Sequence, residues 1–144
     1  MKAQLLASIN SGAKVVSYSG HGSTNQWRGN ILTSDDARGL TNGKSLPLFV
    51  MMTCLNGYFD DPVLDSLSES LLKAANGGAV SVWASTAQTD PAVQSALSQA
   101  FYRELFGTTP VTVGEAASRA KSAMTDSDVR RTWILFGDPA MRIK

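Results

Sequence analysis

The most constraining stretch of this chain is residues 46–53, Leu-Pro-Leu-Phe-Val-Met-Met-Thr, which runs apolar until Thr53 and is followed by Cys54. A strand that is apolar at successive positions cannot turn one face to water, so it belongs in a sheet covered on both sides. Sheets of that kind are mainly parallel, and their crossovers run through helices. The remaining sequence supplies those parts. Residues 14–19 (Lys-Val-Val-Ser-Tyr-Ser) are β-branched and aromatic and stop at Gly20-His21-Gly22. Residues 79–84 and 132–136 are two further strand candidates. The expectation is an α/β fold, a mainly parallel β-sheet flanked by helices.

Helix signals fall between these strands. Asp60-Asp61-Pro62 places a capping carboxylate before a first-turn proline. Val63, Leu64, Leu67, Leu71 and Leu72 then form an apolar stripe, with a stop at Asn76-Gly77-Gly78. Asp90-Pro91 opens a second helix with the stripe Val93, Leu97, Ala100, Phe101 and Leu105, closed at Gly107. Thr112-Val113-Gly114-Glu115 has the form of a capping box for a third, through about Met124. A short helical segment precedes the first strand. Residues 22–43 are polar and glycine-containing, but Trp27, Ile31 and Leu32 should fold onto the core. With no repeat or linker, residues 1–144 read as one domain.

Composition narrows the function classes. Net charge is +1, with no basic cluster longer than Arg130-Arg131. That gives no electrostatic reason to expect nucleic acid or a membrane surface as partner. No apolar run approaches the roughly 18 residues of a membrane-spanning helix. One cysteine excludes an internal disulfide. With one histidine and no HExxH or CxxC spacing, neither a metal nor another cofactor is expected. The N-terminus lacks a signal peptide's apolar stretch. The chain reads as beginning in mid-domain, so its expected partner is a missing upstream part of its own parent protein.

His21 and Cys54 each lie just past a predicted strand, and ligands of open parallel sheets bind beyond the carboxyl ends of the strands. If the two strands are parallel neighbours, both side chains emerge at one edge. An imidazole there can take the thiol proton, making the nucleophilic thiolate, and can later protonate a leaving amine. Gly20 and Gly22 let the backbone approach a substrate closely, so the N–H groups of Gly22 and Cys54 are candidate oxyanion donors. Read from position alone, the same residues also fit a buried inert cysteine and a turn histidine.

Four blocks carry a more specific likeness. Tyr18-Ser19-Gly20-His21-Gly22-Ser23 is the first, and residues 46–49 leading to Cys54-Leu55-Asn56-Gly57-Tyr58-Phe59 the second. Ala84-Ser85-Thr86 follows, then Trp133-Ile134-Leu135-Phe136-Gly137-Asp138-Pro139. In this order they resemble the gingipain family of cysteine peptidases, from about Val15 to the end. The resemblance implies a caspase-like fold, His21 as catalytic histidine, Cys54 as nucleophile, and an oxyanion site shared by the N–H groups of Gly22 and Cys54. It implies a protein or peptide substrate cleaved through a thioester acyl-enzyme, and an exported, secreted or cell-surface parent.

The departures limit what carries over. The family's acidic specificity residue and the carboxylate orienting its histidine lie upstream of the histidine strand, where this chain has no counterpart. The loop 85–91 matches a wall of the substrate pocket, with Pro91 where arginine-specific members have tryptophan. Specificity for Arg or Lys is therefore not implied. Thr86 and Gln88 are candidate substrate contacts, with helix entry as the competing role. Asp60 and Asp61 read as capping residues, Trp83 and Trp133 as core, and Asp138 as a turn residue. The alternatives to a peptidase are an inactive binding or structural module of the same fold and an acyl transferase using the same dyad.

Overall fold

The computed structural model describes residues 1–143. In chain order the elements begin with α1 (Lys2–Asn10), β1 (Val15–Ser19), β2 (Gly22–Ser23), β3 (Gln26–Trp27) and α2 (Ser34–Arg38). There follow β4 (Leu48–Met52), α3 (Leu67–Leu72) and β5 (Ser81–Ser85). The last are α4 (Pro91–Leu105), α5 (Val113–Ser122), α6 (Ser127–Thr132) and β6 (Trp133–Gly137).

One sheet runs β1-β4-β5-β6, parallel except for β6, which returns antiparallel to β5. β4 and β5 are buried at every position, as the apolar run requires. Alternate residues feed two cores. Val16, Phe49, Met51, Val82 and Ala84 pack with Ile9 of α1, Ala37 of α2, and Leu67 and Leu71 of α3. On the other side Leu48, Val50, Met52 and Trp83 pack with Leu97 and Phe101 of α4 and the alanine face of α5. The expected sheet between helices is present, and Trp83, Trp133, Trp27 and Leu32 are all core residues.

The caps at α4 and α5 form as read. Asp90 accepts from the N–H groups of Ala92 and Val93, with Pro91 at the first helical position. Thr112 and Glu115 form a reciprocal capping box. The helix expected from Pro62 is corrected. The Asp61 carboxylate does take the N–H groups of Val63 and Leu64, but only as a turn, and Val63 is 84% exposed. Helix α3 starts at Leu67 because Ser66 and Glu69 make a stronger, two-way capping box there. The Leu67 N–H is meanwhile engaged outside the helix, by the Thr24 carbonyl at 2.8 Å. The segment 22–43 holds what periodicity did not reveal, the β2–β3 hairpin and α2; α6 is likewise additional.

Candidate active site

Register decides how His21 and Cys54 are related. β1 and β4 pair in parallel, with Ser19 opposite Met52 as the last rung. The Gly20 N–H extends the ladder, donating to the Met52 carbonyl at 3.1 Å. The paired residues stop there, so His21 and Cys54 each follow the last rung by two residues. Val15 shares the α4-side core with Leu48, Val50 and Met52. His21 and Cys54 lie beyond the ends of both strands, in the turns that follow them.

The glycines around His21 have packing reasons. The Tyr18 hydroxyl donates to the His21 carbonyl at 2.9 Å, and the Arg28 N–H donates to the same oxygen at 2.8 Å. To reach it, the Tyr18 ring stacks on Trp27, centroids 4.2 Å apart, and passes over residue 20. A Cβ at Gly20 would stand 2.8 Å from the Tyr18 oxygen. Gly22 opens the β2–β3 hairpin opposite Trp27. A Cβ at Gly22 would stand 2.5 Å from Thr53 Oγ1 and 3.3 Å from Asn56 Nδ2. Only glycine lets the histidine turn lie against the cysteine turn this closely.

The cysteine turn is fixed from both sides. Asn56 is fully buried, and its Nδ2 donates to the carbonyls of Ser23 and Gln26 in the hairpin. Its own carbonyl accepts from the N–H and hydroxyl of Ser68. Toward β5, the Leu55 N–H donates to the Ala87 carbonyl at 3.3 Å and that of Gly57 to Ser85 at 2.9 Å. Leu55, next to Cys54, is held at φ 62°. A left-handed leucine costs about 1–2 kcal/mol, a strain tolerated because the surrounding bonds over-determine the turn. The Cys54 N–H itself has no protein acceptor among the described residues.

Cys54 is half-buried. Its Sγ lies 3.8 Å from the Thr89 carbonyl, toward which the thiol donates. Gln94 Nε2 donates toward the same sulfur at 3.8 Å. It also donates to the carbonyl and hydroxyl of Thr89, at 3.1 Å and 2.9 Å. The exposed His21 imidazole makes no hydrogen bond among the described residues, to Cys54 or to anything else.

The pocket-wall candidates separate. Thr86 is turned into structure, its N–H and hydroxyl both donating to the Thr132 carbonyl. Gln88 is exposed and, with Thr89, Asp90, Asp126 and Asp128, lines a cavity of about 370 Å³. None of those three carboxylates has an ion-pair partner among the described residues. No group of three or more His, Cys, Asp or Glu side chains there could hold a metal ion. Sequence reading missed Asn56, Gln94, Asp126 and Asp128. Gln94 left a trace, since it shares the buried spacing of Leu97 and Phe101. A polar residue on a buried helix face asks for a partner.

Comparison with known proteins bears on the fold and the family. The chain is 25% identical over 154 residues to gingipain R2 of Porphyromonas gingivalis, covering 97% of this chain and 21% of that protein. It is equally identical to gingipain R1 of the same organism, covering 15% of it. The crystal structure of the Arg-specific cysteine proteinase gingipain R superposes with a TM-score of 0.84 at 24% identity. All of this chain and 36% of that one are covered. The complex of pro- and mature gingipain domains gives 0.86, at 23% identity, with 37% of that chain covered. The chain thus spans about a fifth of gingipain R2 and has the gingipain fold. A sequence model of peptidase family C25 matches residues 1–144, and the chain belongs to that family.

Proposed function

We propose that this chain carries the catalytic dyad of a cysteine endopeptidase, with Cys54 as nucleophile and His21 as its acid and base. The observation that supports this reading is the parallel pairing of β1 and β4, whose last paired residues, Ser19 and Met52, each stand two residues before His21 and Cys54. His21 accepts the thiol proton, and the Cys54 thiolate attacks the scissile carbonyl carbon. The resulting oxyanion accepts from the N–H groups of Cys54 and Gly22, the first of which has no competing protein acceptor. His21 then protonates the leaving amine as the C–N bond breaks, leaving a thioester on Cys54. Water, deprotonated by His21, hydrolyses that thioester and restores the thiol. Export of the parent protein belongs to the same proposal.

The acidic cavity bordered by Gln88 and Thr89 adds a substrate preference. Its three carboxylates favour a peptide whose cationic side chain enters beside Cys54. A second reading, a module of the same fold without turnover, is favoured by one observation: the thiol's contacts are to Thr89 and Gln94 and not to His21. Turnover of a peptide library bearing a fluorogenic amide separates the readings. The proposal expects cleavage after Lys or Arg, abolished in Cys54→Ala and reduced by about 10²-fold or more in His21→Ala. Cleavage that survives Cys54→Ala, or no cleavage with the wild-type chain folded, supports the second reading.

A further inference from the structure

A second cavity, of about 410 Å³, opens between α5 and the β5–β6 edge of the sheet, and no residue of the candidate active site lines it. We propose that it binds a small organic carboxylate, whose head is held by Lys121, Arg130 and the indole N–H groups of Trp83 and Trp133. The apolar tail lies against Ala117 and Leu135.

Both tryptophans line the cavity, both are fully buried, and neither indole N–H has a hydrogen-bond partner among the described residues. Buried N–H donors are normally satisfied, and both orphans belong to residues that line this one cavity. The cationic groups point the same way. Lys121 Nζ gives one hydrogen to the Trp133 carbonyl at 2.7 Å, which leaves two of its three donors for a ligand. Burial pushes that ammonium below its ordinary value of 10.5, an unfavourable state that a bound anion would relieve. Arg130 forms no ion pair among the described residues. No Asp or Glu lines the cavity. Its charged side chains are therefore both cationic. The volume falls within the small-molecule range, and the apolar lining favours a tailed carboxylate over a bare inorganic anion.

The test is a titration of the full chain with sodium hexanoate, with hexanamide as the neutral isostere, followed by indole fluorescence and calorimetry. Trp27 lies in the opposite core, so a Trp27→Phe background isolates the signal of the two cavity tryptophans. The expected result is saturable binding of hexanoate at or below about 1 mM, with hexanamide at least tenfold weaker. Lys121→Met and the surface substitution Arg130→Gln should each weaken hexanoate about tenfold or more, as loss of a charged hydrogen bond does. Equal binding of hexanamide would overturn the carboxylate assignment. An absence of saturable binding, or binding unchanged in Arg130→Gln, would mean that ordered water alone meets the indole donors, and the proposal would fail.

Discussion

At the scale of single residues, the thiol's environment is set by two opposed contacts. Thr89 offers a carbonyl toward which the thiol donates, and Gln94 offers an N–H directed at the sulfur. Replacing Gln94 by Leu keeps the apolar face of α4 and removes the only side-chain donor to Sγ among the described residues. Alkylation of Cys54 at pH 7 should then slow by about 2- to 10-fold, the range that one neutral hydrogen bond carries. Rates followed by mass spectrometry check this, and an unchanged rate would show that the Gln94 contact is too weak to matter. Legibility at this scale is uneven. His21 and Cys54 stand out because each is the only residue of its kind and each follows a strand. Asn56 and Gln94 do not stand out, because an amide in a turn or a helix acquires its role only from partners far away in sequence. Gly20 and Gly22 lie between. Their presence is plain in the sequence, but the reasons for them, the Tyr18 ring and the Thr53 and Asn56 side chains, are tertiary.

At the scale of elements, apolar runs and caps were reliable where no other element competed for the same backbone groups. β4 and α4 lie where their patterns put them. The segment from Asp60 to Ser66 does not, because an apolar stripe cannot reveal that Thr24 takes the Leu67 N–H or that Ser66 and Glu69 cap each other. That box is testable: Ser66→Ala should lower stability by about 1 kcal/mol, read as a shift of the urea midpoint with unchanged slope. A second box opens α2, where Asp36 accepts from the N–H and hydroxyl of Thr33 and pairs with Lys2 at 2.7 Å. Burial raises the Asp36 pKa, but the Lys2 ammonium and the Thr33 donors together outweigh it, and the carboxyl falls below its ordinary 3.8. A lowered folded-state value means that the stabilisation is complete above the ordinary value and is lost as pH falls through the folded one. Asp36→Asn should therefore be less stable than wild type at pH 7, with the gap narrowing at about pH 2.5. A gap that stays constant between those two urea titrations would contradict the assignment.

At the scale of the whole molecule, the sheet's two covered faces follow from a β4 that no water-facing arrangement can accommodate. The order β1-β4-β5-β6 brings the ends of β1 and β4 together, and that single adjacency joins a histidine turn to a cysteine turn. Neighbouring order was an assumption in the sequence and became an observation only with the register. The antiparallel return of β6 was invisible for the same reason, since strand direction is not written in a strand's own residues.

The most direct measurement of the central claim is iodoacetamide labelling of Cys54 across about pH 5 to 9, in wild type and in His21→Ala. An assembled pair predicts fast labelling below about pH 7, because the imidazole stabilises the thiolate there, and loss of that fast labelling in the variant. Labelling that is slow below neutrality, or indifferent to His21→Ala, would contradict the account and leave the chain as a peptidase fold without an activated thiol.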